Sequence, residues 1–447
     1  MRTLLTFEWK LFLRNRIFLL GIGLLFMAGI YAIYYGNTEI SRQKTTVESV
    51  QKSDNERLAK QKDNFKEPSF EASWRMSRVV ANAPSSLSAL SLGQRDVFPY
   101  YKSVRTYGLY SSIFSSEIAN PLKLLTGNFD LAFVFIFLLP LLIIALTFNL
   151  LSSEKEQGTL SLILSNQISL KRLVGTKILF RCSIVLALVT LLFVIGLIWT
   201  GTGLNINTTY WYLSTCVYVL FWFSVVFWVV SLQKNSSFNA LSLLATWLVF
   251  VLVIPTLINL YLESSQPISS GANLQRELRE IPEKGWNTPR KETIGKFFAK
   301  YPNKKVDTTK VDANMVFEIA AIQGMDDVSK PAFGAYKQEL QNRIALSRSL
   351  SWLSPAAQTQ SLMNQLADSD TDNYLNYLNN LETFYPQIKG FFDDMKLANK
   401  KFGKTNFDQI PEPKIERNPL NFSILQILPI LLFGFIFLSL GYLRIGK

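Results

Sequence analysis

Six stretches of the chain run without an Asp, Glu, Lys or Arg: Ile17 to Tyr35, Leu131 to Leu151, Cys182 to Gly201, Tyr210 to Leu232, Ala240 to Leu262 and Phe422 to Leu443. A helix of about 20 apolar residues crosses the hydrocarbon core of a bilayer, so each stretch predicts a membrane span. The long apolar run after Cys182 is split by the segment 201–209, whose turn-forming residues separate two antiparallel spans. Two long polar segments, 37–128 and 263–421, interrupt the apolar pattern. In the first, Glu39 to Lys66 reads as a helix rising from the first span with charges of both signs on its solvated faces, and Pro68, Pro84 and Pro99 interrupt regular structure in the remainder of the segment. In the second, helix-compatible stretches cover 313–323, 332–350, 357–367 and 373–401, with Pro386 and Lys389-Gly390 predicting a kink or break in the last. Little of either segment alternates as strands do.

The predicted architecture is an all-α polytopic membrane protein in which six transmembrane helices carry a largely helical extracytoplasmic cap made from two insertions. Its parts are an amphipathic N-terminus and first span (1–36), a first insertion (37–128), spans two to five with a cytosolic helix at 153–165 (129–262), a second insertion (263–421), and a sixth span with a cytosolic tail (422–447).

Composition agrees with this plan. At 49% hydrophobic residues and a mean hydropathy of +0.17, the chain is too apolar for one soluble fold of 447 residues. Its net charge of +13 follows the spans. With the N-terminus inside, the cytosolic pieces 1–16, 152–181, 233–239 and 444–447 hold 12 basic residues against three acids, Glu8, Glu154 and Glu156. The two long exterior segments hold 34 basic against 29 acidic residues. Basic residues accumulate on the cytoplasmic side of membrane proteins, so the charge reports topology, and no clustered cations suggest a nucleic-acid partner. Arg2, Lys10, Arg14 and Arg16 ahead of an apolar run resemble a secretory signal. The run is too long for a signal core and no small-x-small cleavage site comes after it, so it reads as a retained span. The amphipathic segment before it offers Leu4, Leu5, Phe7, Trp9 and Phe12 to the membrane interface. Both cysteines, Cys182 and Cys216, fall in predicted spans, which leaves the insertions without a disulfide; the absence of histidine excludes His-based triads, zinc sites and proton relays.

Several patterns imitate sites. Gly403-Lys404-Thr405 ends like a phosphate-binding loop, but Ala398 stands where its leading glycine should be. The stretch 368–373 begins like a calcium loop, yet Asn373 replaces the required glycine and Asn379 the bidentate glutamate; helix capping by Asp370 or Asp372 explains it better. Pro140, Pro255 and Pro429 lie within spans, where each would free a backbone carbonyl and serve either as a gating hinge or as a packed kink. Asn149 and Asn259 near span ends could line a polar path or be solvated at the interface.

The segment Glu154-Lys155-Glu156-Gln157-Gly158-Thr159, with the apolar run Leu160, Leu162, Ile163 and Leu164, then 168–174 and Lys177, resembles the loop between the second and third spans of ABC-2 type transporter permeases. Gln167 replaces a usual proline. The motifs 84–88, 93–96, 99–101, Asn120-Pro121, 129–134 and 353–356 are similar to those of a bacterial permease subfamily that contains DUF3526. The resemblance implies a permease in the bacterial cytoplasmic membrane with both termini cytosolic, no catalytic or metal site of its own, and ATP and Mg bound on a separate ATP-binding subunit. It also implies a second permease subunit, a copy or a paralogue. Glu154, Glu156, Gly158, Thr159, Leu160, Leu162 and Leu164 would couple the ATPase to the spans, with the two glutamates at a helix N-terminus and Gly158 allowing close approach. Two readings of other classes are a lipid-linked glycosyltransferase with Glu39 or Asp130 as base, against which the six spans and the 154–165 motif argue, and a non-transporting sensor or scaffold, which keeps the same topology.

Overall fold

The first apolar run and the polar helix expected to rise from it form one 48-residue helix, Arg16–Asp63. Asn15 caps its start, its side-chain oxygen accepting from the Ile17 and Phe18 N–H groups at 3.1 and 3.4 Å. The computed structural model describes residues 2–65, 68, 70–113, 128–165, 169–267, 287–304, 306, 311–417 and 422–445. Asn120, Pro121, Gln167, Ile168 and the Leu4 side chain lie outside the described residues. Among those described, six helices are long and apolar enough to cross a membrane: Arg16–Asp63, Leu131–Glu156, Leu170–Thr200, Ile206–Ser231, Ser236–Ser265 and Ile424–Arg444.

The second and fourth spans form the centre. Leu131, Phe135, Ile143, Trp211, Tyr218, Trp222 and Val226 are essentially inaccessible, whereas the first, fifth and sixth spans bury only 28%, 17% and 22% of their most apolar windows. An apolar helix with an exposed apolar surface is stable where hydrocarbon replaces water. Where the first helix passes the segment 87–89 the backbones touch. A Cβ added at Gly36 would stand 1.9 Å from the Ala89 carbonyl oxygen, so only glycine fits.

The two insertions share one core. A two-stranded antiparallel hairpin, Ser77–Ala81 with Tyr101–Arg105, pairs Ser77 with Arg105 and Ala81 with Tyr101. It packs Val80 and Val104 together with Phe333, Tyr377, Phe384 and Phe392 from the second insertion. The first insertion therefore departs from the helical expectation, and the apolar run Val79-Val80-Ala81 is too short to announce a strand alone. The long first helix lies against this hairpin through Val47 and Val50, and Asp54 on it accepts from the Val79 N–H at 3.2 Å.

In the second insertion, 313–323 and 332–350 belong to a single helix, Ala313–Ser351, that runs through Pro331. The expected break at Pro386 and Gly390 is likewise absent from Thr371–Leu397, which continues through both. Packing against a shared aromatic core holds each helix across the one hydrogen bond that its proline removes. Asp370 caps the second helix, accepting from Asn373 N–H at 3.1 Å.

Arg95 ties the insertions to each other. Its buried guanidinium donates to the Gln43 side chain, to the Asn82 carbonyl at 2.6 Å, and to the Asp368 carbonyl and Asn373 side chain at 3.3 Å each. Beside it, the Leu92 N–H and the Phe133 N–H donate to Asp130 at 2.7 and 2.8 Å, which anchors the second span's first turn to the insertion.

Candidate functional site

The chain between the second and third spans does not form one helix over 153–165. It forms two, Ser152–Glu156 and Leu160–Ser165, separated by a turn in which Gly158 takes φ +72°. That left-handed conformation strains any residue with a Cβ. Within this chain Gly158 serves the backbone geometry, since an added Cβ would meet no atom of the chain within 4 Å.

Glu154 closes the turn from the inside. Its backbone carbonyl accepts from the Thr159 N–H at 2.9 Å, and its Oε2 accepts from the Thr159 hydroxyl at 2.6 Å. Its Oε1 faces Lys177 Nζ at 2.9 Å. Lys177, on the third span, is buried and also faces Glu8 Oε1 at 3.3 Å. Arg181, one turn further, donates to the Leu146 carbonyl and lies over the Phe18 ring at 5.2 Å. Two cations and two carboxylates thus balance around a cavity of about 540 Å³, with Phe12, Asn149 and Ile163 also on its wall. Balance matters here, because an unpaired ion away from water carries a desolvation cost of several kcal/mol.

Glu156 serves a helix N-terminus, as expected of an acid in this motif, but the helix is a different one. Its carboxylate accepts from the Ser236 N–H at 2.8 Å and the Ser236 hydroxyl at 3.0 Å, at the start of the fifth span. Lys155 donates to the Gln233 carbonyl at 3.0 Å, and the Ser152 and Ser236 hydroxyls are 2.7 Å apart. The loop therefore grips the connection between spans four and five as well as the third span.

The Leu160–Ser165 helix divides its apolar residues. Leu160 and Ile163 pack on the bundle core, while Leu162 and Leu164 are 68% and 37% exposed. Residues 272–413 match a domain of unknown function, DUF3526. No curated protein and no solved structure matches the chain. The DUF3526 match covers much of the second insertion and includes neither the 152–165 loop nor the spans.

The N-terminal helix, Arg2–Arg14, leaves Leu5, Phe7 and Trp9 exposed, although Phe7 lines the cavity and the Trp9 ring meets Phe180 of the third span edge-on at 6.1 Å. Phe12 departs from the interfacial expectation: it is buried against the bundle, 5.9 Å from the same Phe180 ring. Glu8 on this helix reaches Lys177, a partnership that only packing reveals.

The prolines divide into two kinds. Pro140 and Pro255 each follow a π-helical segment, Val134–Leu138 and Leu248–Val253. A proline removes a donor and π-turns displace the remaining pairing, so carbonyls in both segments require partners from elsewhere. The Tyr218 hydroxyl donates to Ile136 O at 3.0 Å, Trp247 Nε1 to Phe137 O at 3.2 Å, and the Ser354 hydroxyl to Phe250 O at 2.5 Å. Pro429 does not belong with them. It occupies the first turn of the Leu428–Arg444 helix, where an N–H has no intrahelical partner in any case.

Both carboxylates considered for glycosyl transfer are engaged by partners within the chain. Glu39 faces Arg42 at 2.6 Å, and Asp130 is buried as the cap already described.

Proposed function

We propose that this chain is the membrane-spanning permease subunit of an ABC-2 type export complex in the bacterial cytoplasmic membrane. In this reading both termini and the 152–165 loop face the cytosol, and the insertions stand outside. A separate subunit binds ATP and Mg, and two permease subunits flank the translocation path. The reading is carried by one observation: Leu162 and Leu164 are exposed on a short helix whose base is bonded into the bundle through Glu154, Lys155 and Glu156.

The mechanism rests on those attachments. A partner that seats on Leu162 and Leu164 and moves on ATP hydrolysis displaces a helix too short to bend. The displacement passes through Glu154 to Lys177 on the third span and through Glu156 to Ser236 on the fifth. Lys177 carries it to Glu8 on the N-terminal helix. The π-segments beside Pro140 and Pro255 give the second and fifth spans places to change pitch, because their hydrogen bonds are already shared with side chains.

The test is purification of the tagged chain from its native membrane in mild detergent, with mass spectrometry of the proteins that remain bound. An ATP-binding subunit should accompany the wild type and be lost from Leu162→Asp/Leu164→Asp and from Gly158→Trp, while the chain stays folded. An unchanged complement in both variants would refute the assignment of this loop. Orientation is read separately by labelling Ser161→Cys and Ser53→Cys, in a background lacking Cys182 and Cys216, with a membrane-impermeant maleimide. The first should react only from the cytosolic side and the second only from outside.

A further inference from the structure

A second cavity, of about 340 Å³, lies at the other end of the spans, between the second and fifth spans and the DUF3526 region. Its two halves differ in chemistry. Ile136 and Phe137 of the second span's π-segment and Val251, Pro255 and Ile258 of the fifth span supply an apolar floor. The inserted helices Ala313–Ser351 and Pro355–Leu366 supply the rim, with Arg343, Ser347, Gln360 and Asn364. Asn259 stands at the join.

The rim carries two arginines and two carboxylates, Asp370 and Asp372, and both carboxylates pair with the same arginine, Arg348. Arg343 is half-buried, donates to the Gln266 carbonyl at 3.4 Å, and has no carboxylate within 4 Å among the described residues. A guanidinium in such a position favours an anionic group that accepts two of its N–H donors. The apolar floor continues onto the outside of the fifth span, where Leu257, Leu260 and Tyr261 are more than half exposed. A ligand with a negatively charged head and a hydrocarbon tail satisfies both halves, whereas a small polar anion leaves the floor empty and a neutral hydrocarbon gives Arg343 no anionic partner.

We infer that this cavity is a binding site for an anionic membrane lipid, its headgroup held by Arg343 and its acyl chain lying along the fifth span. The site does not depend on the ATPase partnership, because every residue in it belongs to this chain. Binding can therefore fail while the permease reading stands, and the converse also holds.

Native mass spectrometry of the full chain in detergent, titrated separately with dioleoyl phosphatidylglycerol, dioleoyl phosphatidylcholine and inorganic phosphate, tests it. Phosphatidylglycerol should bind about tenfold more tightly than phosphatidylcholine, the scale of one charge-assisted hydrogen-bond pair. Arg343→Gln should abolish that preference, Arg343→Lys should retain most of it, and Ser347→Trp, which places an indole in the cavity, should weaken binding of both lipids. Melting temperatures in lipid-free detergent establish that each variant is folded. Equal binding of the two lipids, or a preference that survives Arg343→Gln, overturns the inference. Displacement of phosphatidylglycerol by millimolar phosphate assigns Arg343 to a free anion and overturns it equally.

Discussion

Asp393 is a buried carboxylate of the inserted unit, 5% exposed, whose Oδ2 has no hydrogen-bond partner among the described residues. Burial pushes its carboxyl up to about 6, against the pull of Lys389 and Lys396. A folded-state value above the ordinary 3.8 means that the folded chain holds the proton more tightly than the unfolded one. Stability from this group is complete below about pH 4 and lost as pH rises through 6. Asp393→Asn should therefore flatten the unfolding profile between pH 4 and 6 and raise stability at pH 7 by about 2 kcal/mol, measured by thermal melts at pH 5 and 7. Lys177 presents the opposite case, a buried ion with two partners. Lys177→Met leaves Glu8 and Glu154 facing each other without it and should cost about 3 kcal/mol; the triple variant with Glu8→Gln and Glu154→Gln should recover most of that in a denaturation cycle. Gly158 and the two exposed leucines were legible in the sequence as a motif. Glu8 and Arg181 were not, because nothing near them in the chain marks their partners.

At the scale of elements, the π-segments explain why the second and fifth spans tolerate proline. Three carbonyls in these segments, those of Ile136, Phe137 and Phe250, are met by donors from other elements, and each donor is a discrete, removable contact. Ser354 makes two: its hydroxyl donates to Phe250 O and accepts from the Ala357 N–H at 3.2 Å as the cap of Pro355–Leu366. Ser354→Ala should destabilise the chain by about 1–3 kcal/mol and raise amide exchange over 248–258 ahead of the rest of the fifth span. Tyr218→Phe, which removes one bond from a fully buried site, should have a similar effect confined to 134–140. Unchanged exchange in both variants would show that the π-segments are held by packing alone. The 353–356 motif was visible in the sequence only as part of the subfamily resemblance, ahead of the helix-compatible stretch 357–367. Its hold on the fifth span joins residues 104 positions apart, a distance over which periodicity carries no information.

For the whole molecule, the bonded contacts form a line from the 152–165 loop through the fifth span to the inserted unit. Glu156 holds the start of that span, Trp247 crosses from it to Phe137, and Phe250 receives Ser354 from the DUF3526 region. Under the permease reading, substitutions at either end should change the coupling of ATP hydrolysis to transport. Ser354→Ala should lower the transport-linked fraction of ATPase activity by several-fold without releasing the ATPase, whereas Leu162→Asp/Leu164→Asp should release it. A Ser354→Ala complex with wild-type coupling would limit the inserted unit to a role outside the transport cycle. The sequence by itself determined the six spans, the long helix leaving the first of them and the helical character of the second insertion, because transfer into hydrocarbon and helix formation depend on the atoms of each segment alone. Only the tertiary structure decided which polar groups meet: Lys177 with Glu8 and Glu154, Glu156 with Ser236, Arg95 across both insertions, and the strand pair at 77–81 and 101–105. Those pairings arise from desolvation. A buried charge or carbonyl must take a partner, and which one is within reach depends on how the helices pack, a property that no single segment possesses.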